Sequence, residues 1–377
     1  MAYKSSLIFS FLAEYAIIKF MLQPIFSITN EILTNMGLIE AAKEIIENAP
    51  LIPIYESRFK KDALERTVHH ATHIEGNDLT LNEVRKVMDG EVFTARERDV
   101  QEVINYRNVL KYVGSLKREM GSRNYYSGKI VQKINQIACE KIIADGRIGR
   151  YRDTQVVLKN SRTGEVVFRP PAAIEVSYLM EDFFDWLNSS PARKIHPVLR
   201  AGIAHYFLVS IHPFIEANGR SSRAFTTLVL FVEGYDIKKF FSLEDYFDKD
   251  AGRYYQAMME VDKLDEDIFK RDLTGWLNYF TQAMASELTR VKEKVKDLSV
   301  DIKLKSRIGK QIPLNERQIK LMEYLEENGS ISTSEARKVV SGYSDDTIVR
   351  DFNYFKKQGI IKKVGKTKAS RYIINQK

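Results

Sequence analysis

The stretch HPFIEANGRSSR, residues 212–223, holds one imidazole, one carboxylate, an Asn-Gly pair and two arginines three positions apart. Apolar segments border it on both sides. Residues 197–211 and 221–235 show helical hydrophobic spacing, and Gly234 is placed to end the second helix. The polar stretch is therefore predicted to be a loop between two buried helices of a mainly helical domain.

The residues of this loop match the needs of a bound polyphosphate. The first turn of a helix leaves N–H groups unpaired, and its dipole favours anions. Gly219 lets a phosphate approach the backbone, and Arg220 and Arg223 leave one face of the helix. Glu216 is the kind of single oxygen ligand with which proteins hold Mg²⁺ beside phosphates. His212 can accept a proton at neutral pH, so the set predicts group transfer from a nucleotide to a hydroxyl.

Composition indicates a globular protein with an uneven charge distribution. The chain has 377 residues, 44% of them hydrophobic, which suggests more than one domain. Cys139 is the single cysteine, which excludes an internal disulfide and a cysteine-based zinc site and predicts a cytoplasmic location. Residues 301–377 contain 17 Lys and Arg against 9 Asp and Glu and so carry the whole net charge of +8. This imbalance predicts a C-terminal module with a polyanionic partner.

The N-terminal segment SSLIFSFLAEYAIIKFMLQPIF, residues 5–26, is apolar but contains Glu14 and Lys19. It falls short of the roughly 20 uninterrupted apolar residues of a membrane span. A packed or partner-binding helix is expected here, with a targeting segment as the alternative. No membrane association is predicted, and a homodimer through the N-terminal helices is a further possibility.

The remaining pattern is helical apart from one hairpin. Thr80 and Glu83 form a capping-box pair for a further helix. Two β-rich runs within residues 154–171 flank a Gly-containing turn and predict a hairpin whose edge can pair with an incoming strand. Other helices are predicted at residues 30–48, 58–71, 96–117, 126–143, 174–188, 251–263 and 270–296.

The C-terminal region resembles a winged helix-turn-helix domain, with three short helices followed by two strands around a basic turn. The resemblance implies that the third helix, residues 345–357, faces a DNA major groove. The candidate groove residues are Thr347, Arg350, Asn353 and Tyr354. The candidate phosphate contacts are Lys362, Lys363, Lys366 and Lys368. Protein docking is the alternative, because the same helix carries Asp345, Asp346 and Asp351.

The central stretch resembles the signature of Fic-domain proteins, written HxFx(D/E)GNGRxxR. Seven constrained positions of the twelve match, and Ala217 stands where glycine is usual. If that position needs a positive φ, alanine costs roughly 1 kcal/mol. The wider resemblance spans about residues 60–290 and includes GRIGRYRDTQVVL and RYYQAMM. It implies a helical Fic fold with a β-hairpin flap, followed by the small winged-helix domain.

The activity implied by this resemblance is AMP transfer from ATP to a Ser, Thr or Tyr hydroxyl of a protein, with this protein itself as an alternative target. His212 would be the general base, and Phe214 would anchor the loop. Glu216 would bind the Mg²⁺ that bridges the α- and β-phosphates. Tyr254 or Tyr255 would line the adenine pocket.

The same resemblance assigns the phosphate contacts. Asn218 and Gly219 would hold phosphate oxygens, Arg220 would support the leaving pyrophosphate, and Arg223 would hold the γ-phosphate. The Thr154–Phe168 hairpin would be the flap that aligns a target segment. A relative with lysine at the position of Gly219 phosphorylates instead, so glycine favours nucleotidyl transfer, with UTP or another donor left open.

A second motif resembles the inhibitory helix of Fic proteins, commonly (S/T)xxxE(G/N). Glu75-Gly76 matches its core, whereas Ala71 stands where Ser or Thr is usual. Glu75 is expected to pair with Arg223 and so to block the γ-phosphate, and it could also position water for AMP removal. A surface glutamate at a helix end is the alternative.

Two other functions compete with a regulated transferase. One is a DNA-binding transcription regulator whose Fic domain only senses nucleotide, although His212 is unnecessary for sensing. The other is a toxin-like enzyme restrained by a partner. The expected domains are an N-terminal helical extension (1–60), the Fic domain (61–296), a linker (297–313) and the winged helix (314–377).

Overall fold

The computed structural model describes residues 22–49, 51, 53–120, 125–159, 164, 166–298, 314–365 and 370–375. The fold is mainly helical, as predicted. Buried hydrophobic side chains form two separate clusters, one within residues 22–295 and one within residues 321–372.

Twelve helices are described before residue 299. They are α1 (Asn30–Asn48), α2 (Pro53–His73), α3 (Leu81–Asp89), α4 (Glu97–Met120), α5 (Gly128–Ala138), α6 (Val176–Leu187), α7 (Ser190–Lys194), α8 (Pro197–Ile211), α9 (Asn218–Val232), α10 (Leu243–Lys249), α11 (Ala251–Asp262) and α12 (Thr274–Leu298).

Helix α8 is the centre of the larger core. Its side chains are buried almost all round, because it packs against α6, α9 and α12. Gly202 permits the close approach of α12: a Cβ at this position would lie 2.9 Å from side-chain carbons of both Leu277 and Phe280. The indole of Trp276 donates to the Gly202 carbonyl at 2.8 Å and fixes the pair. The loop after α8 therefore starts from a rigid support.

Several of the predicted helix ends are present in the structure. The Thr80–Glu83 capping box is present, and Gly234 follows α9 with φ of +86°. The helix predicted for 126–143 stops at Ala138, since turns occupy the residues that follow. Helix α10 was not predicted, because its seven residues are too few for a clear periodic pattern.

The expected boundary between residues 60 and 61 falls inside α2. Helix α1 packs along α12, and its buried Ile32 and Ile39 belong to the larger core. The described part of the N-terminal extension thus shares one core with the helices that follow it. Residues 1–21 and most of the expected linker lie outside the described residues.

The predicted hairpin is present but short. Strand β1 (Leu158–Lys159) pairs antiparallel with β2 (Val166–Phe168). The side chain of Arg152, 3% exposed, anchors its base by donating to the carbonyl oxygens of His212 at 2.8 Å and Pro171 at 2.6 Å. The hairpin is therefore tied to the loop that follows α8.

The C-terminal domain has the predicted winged-helix order. It consists of α13 (Glu316–Asn328), β3 (Ser330–Ile331), α14 (Thr333–Val339), α15 (Asp345–Lys357), β4 (Ile361–Val364) and β5 (Arg371–Ile374). The strands form an antiparallel sheet in the order β3-β5-β4. Side chains at Asn315, Ser332 and Ser344 cap the three helices.

Among the described residues, none of the helices combines the length and the apolar composition needed to cross a bilayer.

Candidate active site

The loop between α8 and α9 is closed by its own side chains. The amide of Asn218 bonds both backbone groups of Phe214, accepting from its N–H and donating to its carbonyl, each at 2.8 Å. The ring of Phe214 is buried and anchors the loop as the resemblance implied. Ala217 has φ of +59°, so this position does require the left-handed conformation that glycine adopts more easily. Both ends of the Asn218 amide therefore hold the loop backbone, and its main chain forms the start of α9.

His212 lies at the end of α8, and the contacts of its ring indicate which nitrogen carries the proton. Its Nδ1 lies 3.2 Å from the carbonyl oxygen of Val209. That contact assigns the proton to Nδ1 and leaves the lone pair on Nε2. Burial lowers the pKa of His212 to about 4, so the ring is neutral at pH 7. The ring of Phe168, on β2, approaches it with a centroid distance of 6.1 Å.

The start of α9 carries unpartnered hydrogen-bond donors. The Ser221 N–H makes the first bond of the helix, to the Ala217 carbonyl, so the N–H groups before it point to a ligand position. Arg220 and Arg223 are each 2% exposed. Within the described residues, the Nε groups of both and the Nη1 of Arg220 have no hydrogen-bond partner. Buried guanidinium N–H groups without acceptors fit a site for an anion.

Glu216 lies beside these donors with its side chain 30% exposed. Its Oε1 is 3.1 Å from Arg220 Nη2 and 3.4 Å from Arg98 Nη2. The described residues contain no group of three or more His, Cys, Asp or Glu side chains that would hold a metal by themselves. One accessible carboxylate next to a phosphate position fits Mg²⁺, which keeps most of its waters and takes the rest of its ligands from the substrate.

Glu75 pairs with Arg223, as predicted. It thereby reaches into the phosphate cradle, which is the set of donors from Arg220, Arg223 and the first turn of α9. Its Oε1 accepts from Arg223 Nη2 at 2.8 Å. The same nitrogen donates to the Ala71 carbonyl at 2.9 Å, so the residue that departs from the inhibitory motif contacts Arg223 through its main chain. Burial pushes the pKa of Glu75 up, but the charges of Arg223 and Arg220 outweigh it, and the pKa lies below its ordinary value. The carboxylate is therefore ionised at neutral pH.

Gly219 is the residue that lets Glu75 dock. A Cβ at this position would lie 2.1 Å from the Glu75 Oε1 and 3.0 Å from Arg223 Nη1. Both distances are shorter than ordinary van der Waals contacts. The carboxylate of Glu75 thus occupies the space above the α9 N-terminus where the loop residues predicted a phosphate.

The two tyrosine candidates for the adenine pocket differ. Tyr254 is 1% exposed, and its hydroxyl is 2.8 Å from His205 Nε2, so it is a core residue and not a pocket wall. Tyr255 is 37% exposed, and its hydroxyl lies 3.4 Å from the Ile74 carbonyl, next to Glu75. Adjacent helix positions face different directions, which left the choice open in the sequence.

The C-terminal candidates fall on the outer face of α15. Arg350 and Asn353 are exposed, whereas Thr347 is half-buried against the Ser344 hydroxyl. Asp351 points inward, where it accepts from Arg317 and Gln318. Lys362 and Lys363 are exposed on β4, and Lys366 and Lys368 lie outside the described residues.

Sequence reasoning missed two residues of the site. Arg98 and Glu102, both on α4, contact Glu216 and Arg220 respectively, each at 3.4 Å. They lie more than a hundred positions before the signature, and no local pattern marks them. Asn77, which follows the Glu75-Gly76 pair, bonds Glu102 at 3.0 Å.

Comparisons with known proteins agree with this geometry. Residues 125–230 match the model of the Fic/DOC family, and residues 317–365 match that of a DeoR-like helix-turn-helix domain. The protein adenylyltransferase Fic of Drosophila grimshawi is 32% identical over 187 residues, which are 47% of this chain and 35% of that protein. The protein of the same name from Nematostella vectensis is 28% identical over 224 residues, 56% of this chain and 48% of that protein. The chain spans about a third to a half of the length of these curated relatives.

Solved structures show the same fold. A Fic family protein from Desulfovibrio desulfuricans has a TM-score of 0.61 at 20% identity and covers 94% of this chain and 99% of its own. A Fic domain containing signaling protein from Bacteroides thetaiotaomicron has a TM-score of 0.59 at 22% identity, covering 72% of this chain and all of its own. From the matched signature, the helical frame and the terminal sheet, we conclude that this chain carries a Fic domain followed by a winged helix-turn-helix domain.

Proposed function

We propose that this protein transfers AMP from ATP to a Ser, Thr or Tyr hydroxyl of a protein, and that Glu75 restrains the reaction. The observation that carries the proposal is the pair of buried arginines at the start of α9, three of whose guanidinium nitrogens lack hydrogen-bond acceptors, close to a neutral His212. The arginine N–H groups need an anion as their acceptor. The neutral imidazole of His212 can accept a proton from a substrate. Proteins named protein adenylyltransferase Fic are among the relatives of this chain.

The chain's own groups account for the transfer. The neutral Nε2 of His212 accepts the proton of the target hydroxyl, and the hydroxyl oxygen forms a bond to the α-phosphorus of ATP. The bond from that phosphorus to the β-phosphate bridging oxygen breaks, and pyrophosphate leaves. Arg220, Arg223 and the α9 N-terminus hold the phosphates while this occurs. Glu216 would hold Mg²⁺, which supplies positive charge to the phosphate oxygens.

The hairpin is proposed as the docking edge for the target. Strand β2 ends at Phe168, whose ring lies against that of His212, so a segment paired with this edge would pass the base. The hydroxyl-bearing side chain would then face Nε2. The target includes other proteins and further copies of this chain.

Glu75 is proposed as an internal brake. Its carboxylate bonds the guanidinium that would receive the γ-phosphate and places a negative charge beside that position. A triphosphate in this state loses one arginine contact and meets like charge. The same carboxylate is also proposed to position a water for removal of AMP.

The test is AMP labelling from ATP that carries its label on the α-phosphate. The Glu75→Gly variant is expected to label itself or a target, and Glu75→Gly/His212→Ala is expected to lose the label. Equal labelling of the two variants would refute the role of His212.

The match to a helix-turn-helix domain supports a second proposal, that α15 binds DNA. Arg350 and Asn353 are exposed on its outer face, and Asp351 is turned into the core and away from a groove. A gel shift with random-sequence and genomic DNA fragments, with and without ATP, tests this idea. Failure of Arg350→Ala to weaken a shift would contradict it, as would docking of a protein on the same face.

A further inference from the structure

A buried carboxylate joins the inhibitory segment to the phosphate cradle. Glu102 is 6% exposed on α4. Its Oε2 accepts from the Asn77 amide at 3.0 Å, and its Oε1 accepts from Arg98 Nε at 3.2 Å. The same Oε1 lies 3.4 Å from Arg220 Nη1. One side chain thus contacts the Glu75 segment and two cations of the site.

Arg98 differs from the signature arginines in its exposure. Arg220 and Arg223 are almost wholly buried, whereas the Arg98 side chain is 51% exposed. One nitrogen is held by Glu102, and another lies 3.4 Å from Glu216 Oε1. A guanidinium with one edge fixed and one edge open to the site is arranged to accept a ligand.

The charges of the cradle balance only while Glu75 is docked. Three arginines face Glu216, Glu102 and Glu75, since Arg98 and Arg220 share the Glu216 oxygen and Arg223 takes Glu75. Departure of Glu75 leaves an excess positive charge. Engagement of Glu216 by a cation would weaken its hold on Arg98, and the open edge of that guanidinium would then turn to the nearest anion.

We propose that Arg98 is a further phosphate-binding residue of the nucleotide site, and that Glu102 is the positioning residue that holds it there. This inference rests on the proposed nucleotide site but needs no particular transfer chemistry. Since Asn77 bonds Glu102 and lies two residues after Glu75, the brake and Arg98 share one anchor.

The experiment measures binding of MgATP and of inorganic triphosphate by calorimetry in the Glu75→Gly background. Removal of Arg98 by Arg98→Ala is expected to weaken both ligands about tenfold or more, because a charge-assisted hydrogen bond to a phosphate is lost. Arg98→Lys keeps the positive charge but loses the planar guanidinium. Its affinities for both ligands are expected to fall between those of the Glu75→Gly parent and those of Arg98→Ala. The KM for ATP should rise more than the rate at saturating ATP falls.

Arg96→Ala is the matched control. Arg96 precedes α4 by one residue, is 61% exposed, and pairs with Asp78 and Asp99 at 3.3 and 3.2 Å. Its removal is expected to leave both affinities unchanged. Thermal unfolding of every variant checks that the fold is intact.

The possible outcomes separate this inference from the proposed function. Unchanged affinities in Arg98→Ala, or an equal loss in Arg96→Ala, would overturn the inference while AMP labelling by the parent still stands. Weaker triphosphate binding in Arg98→Ala, together with no AMP transfer by the Glu75→Gly parent, would support the inference and refute the proposed transfer.

Discussion

At the scale of single residues, the site depends on backbone that most side chains avoid. His212 and Ala217 have φ of +51° and +59°, although neither is glycine. The first turn directs the imidazole towards the loop, and the second starts α9 in the direction of the phosphates. The surrounding core supports both turns, because the Phe214 ring is buried and the Asn218 amide bonds both backbone groups of Phe214.

Substitution of Ala217 by glycine is expected to stabilise the protein by about 1 kcal/mol, since glycine has no Cβ to strain at positive φ. Chemical denaturation measures the change. Ala224→Gly is the matched control: this buried alanine lies inside α9, so glycine should destabilise by about 1 kcal/mol or more. Loss of stability in both variants would contradict the assigned strain.

The pH dependence of the reaction follows from His212. Its pKa is near 6.5 in an unfolded chain and about 4 in the folded protein, so unfolding takes up a proton between these values. This group therefore lowers stability as the pH falls through 6.5 towards 4, and it stays neutral above that range. With Mg²⁺-saturated ATP and the Glu75→Gly variant, kcat/KM is expected to show no inflection near pH 6.5 and to decline only as the pH approaches 4. An imidazole NMR titration between pH 6 and 7 that disappears in His212→Ala would contradict the neutral base.

At the scale of elements, α2 and α9 meet end on at one ion pair. Glu75 extends past the end of α2, and Arg223 rises from the first turns of α9. The close approach of Gly219 makes room for the carboxylate. We therefore propose that contact between these two elements decides whether the cradle is open to a triphosphate.

Release of this contact should change stability and nucleotide affinity in opposite directions. Glu75→Gly removes the carboxylate partner of the buried Arg223 and is expected to destabilise the apo protein by about 1–2 kcal/mol, a value reduced because Glu75 is 28% exposed. The same change should tighten MgATP binding about tenfold. Thermal unfolding with and without MgATP measures both effects, and Glu75→Gln tests the charge alone. A variant with unchanged ATP affinity would show that Glu75 is no brake.

Short sequence motifs predict the local parts of this site. They do not predict the contacts between residues that lie far apart in the chain. The capping box at Thr80, the ends of α8 and the Glu75–Arg223 pair follow from short motifs. Glu102 carries no such signal, because α4 meets the signature only through tertiary packing. The choice between Tyr254 and Tyr255 stayed open for a related reason, since a tyrosine in a helix has the same local pattern whether it faces a pocket or the core.

At the scale of the whole molecule, two hydrophobic cores divide the described chain. The larger core extends from Leu22 to Val295, and the smaller is confined to the winged helix. Charge does not by itself divide a chain into two cores. The basic excess of residues 301–377 nevertheless lies in the part of the chain that contains the smaller core. The proposed transfer reaction and the proposed DNA binding thus fall in separately packed units.

Separate cores predict separate unfolding transitions. Phe352 is fully buried and stacks on Tyr372 with ring centroids 4.1 Å apart. Phe352→Ala is expected to destabilise the winged helix by about 3–5 kcal/mol and to leave the Fic transition in place. Val349→Ala, on the outer face of the same helix, should change little. Differential scanning calorimetry resolves the two, and an equal shift of both transitions would contradict independent folding.

The central claim is that the cradle at α9 and the base at His212 move an adenylyl group. Intact-protein mass spectrometry of the Glu75→Gly variant after incubation with ATP and Mg²⁺ tests this claim most directly. We expect a mass increase of one AMP unit on the variant or on an added protein target, and no increase with Glu75→Gly/His212→Ala. An increase of one phosphate unit, or an AMP unit that persists without His212, would contradict the claim.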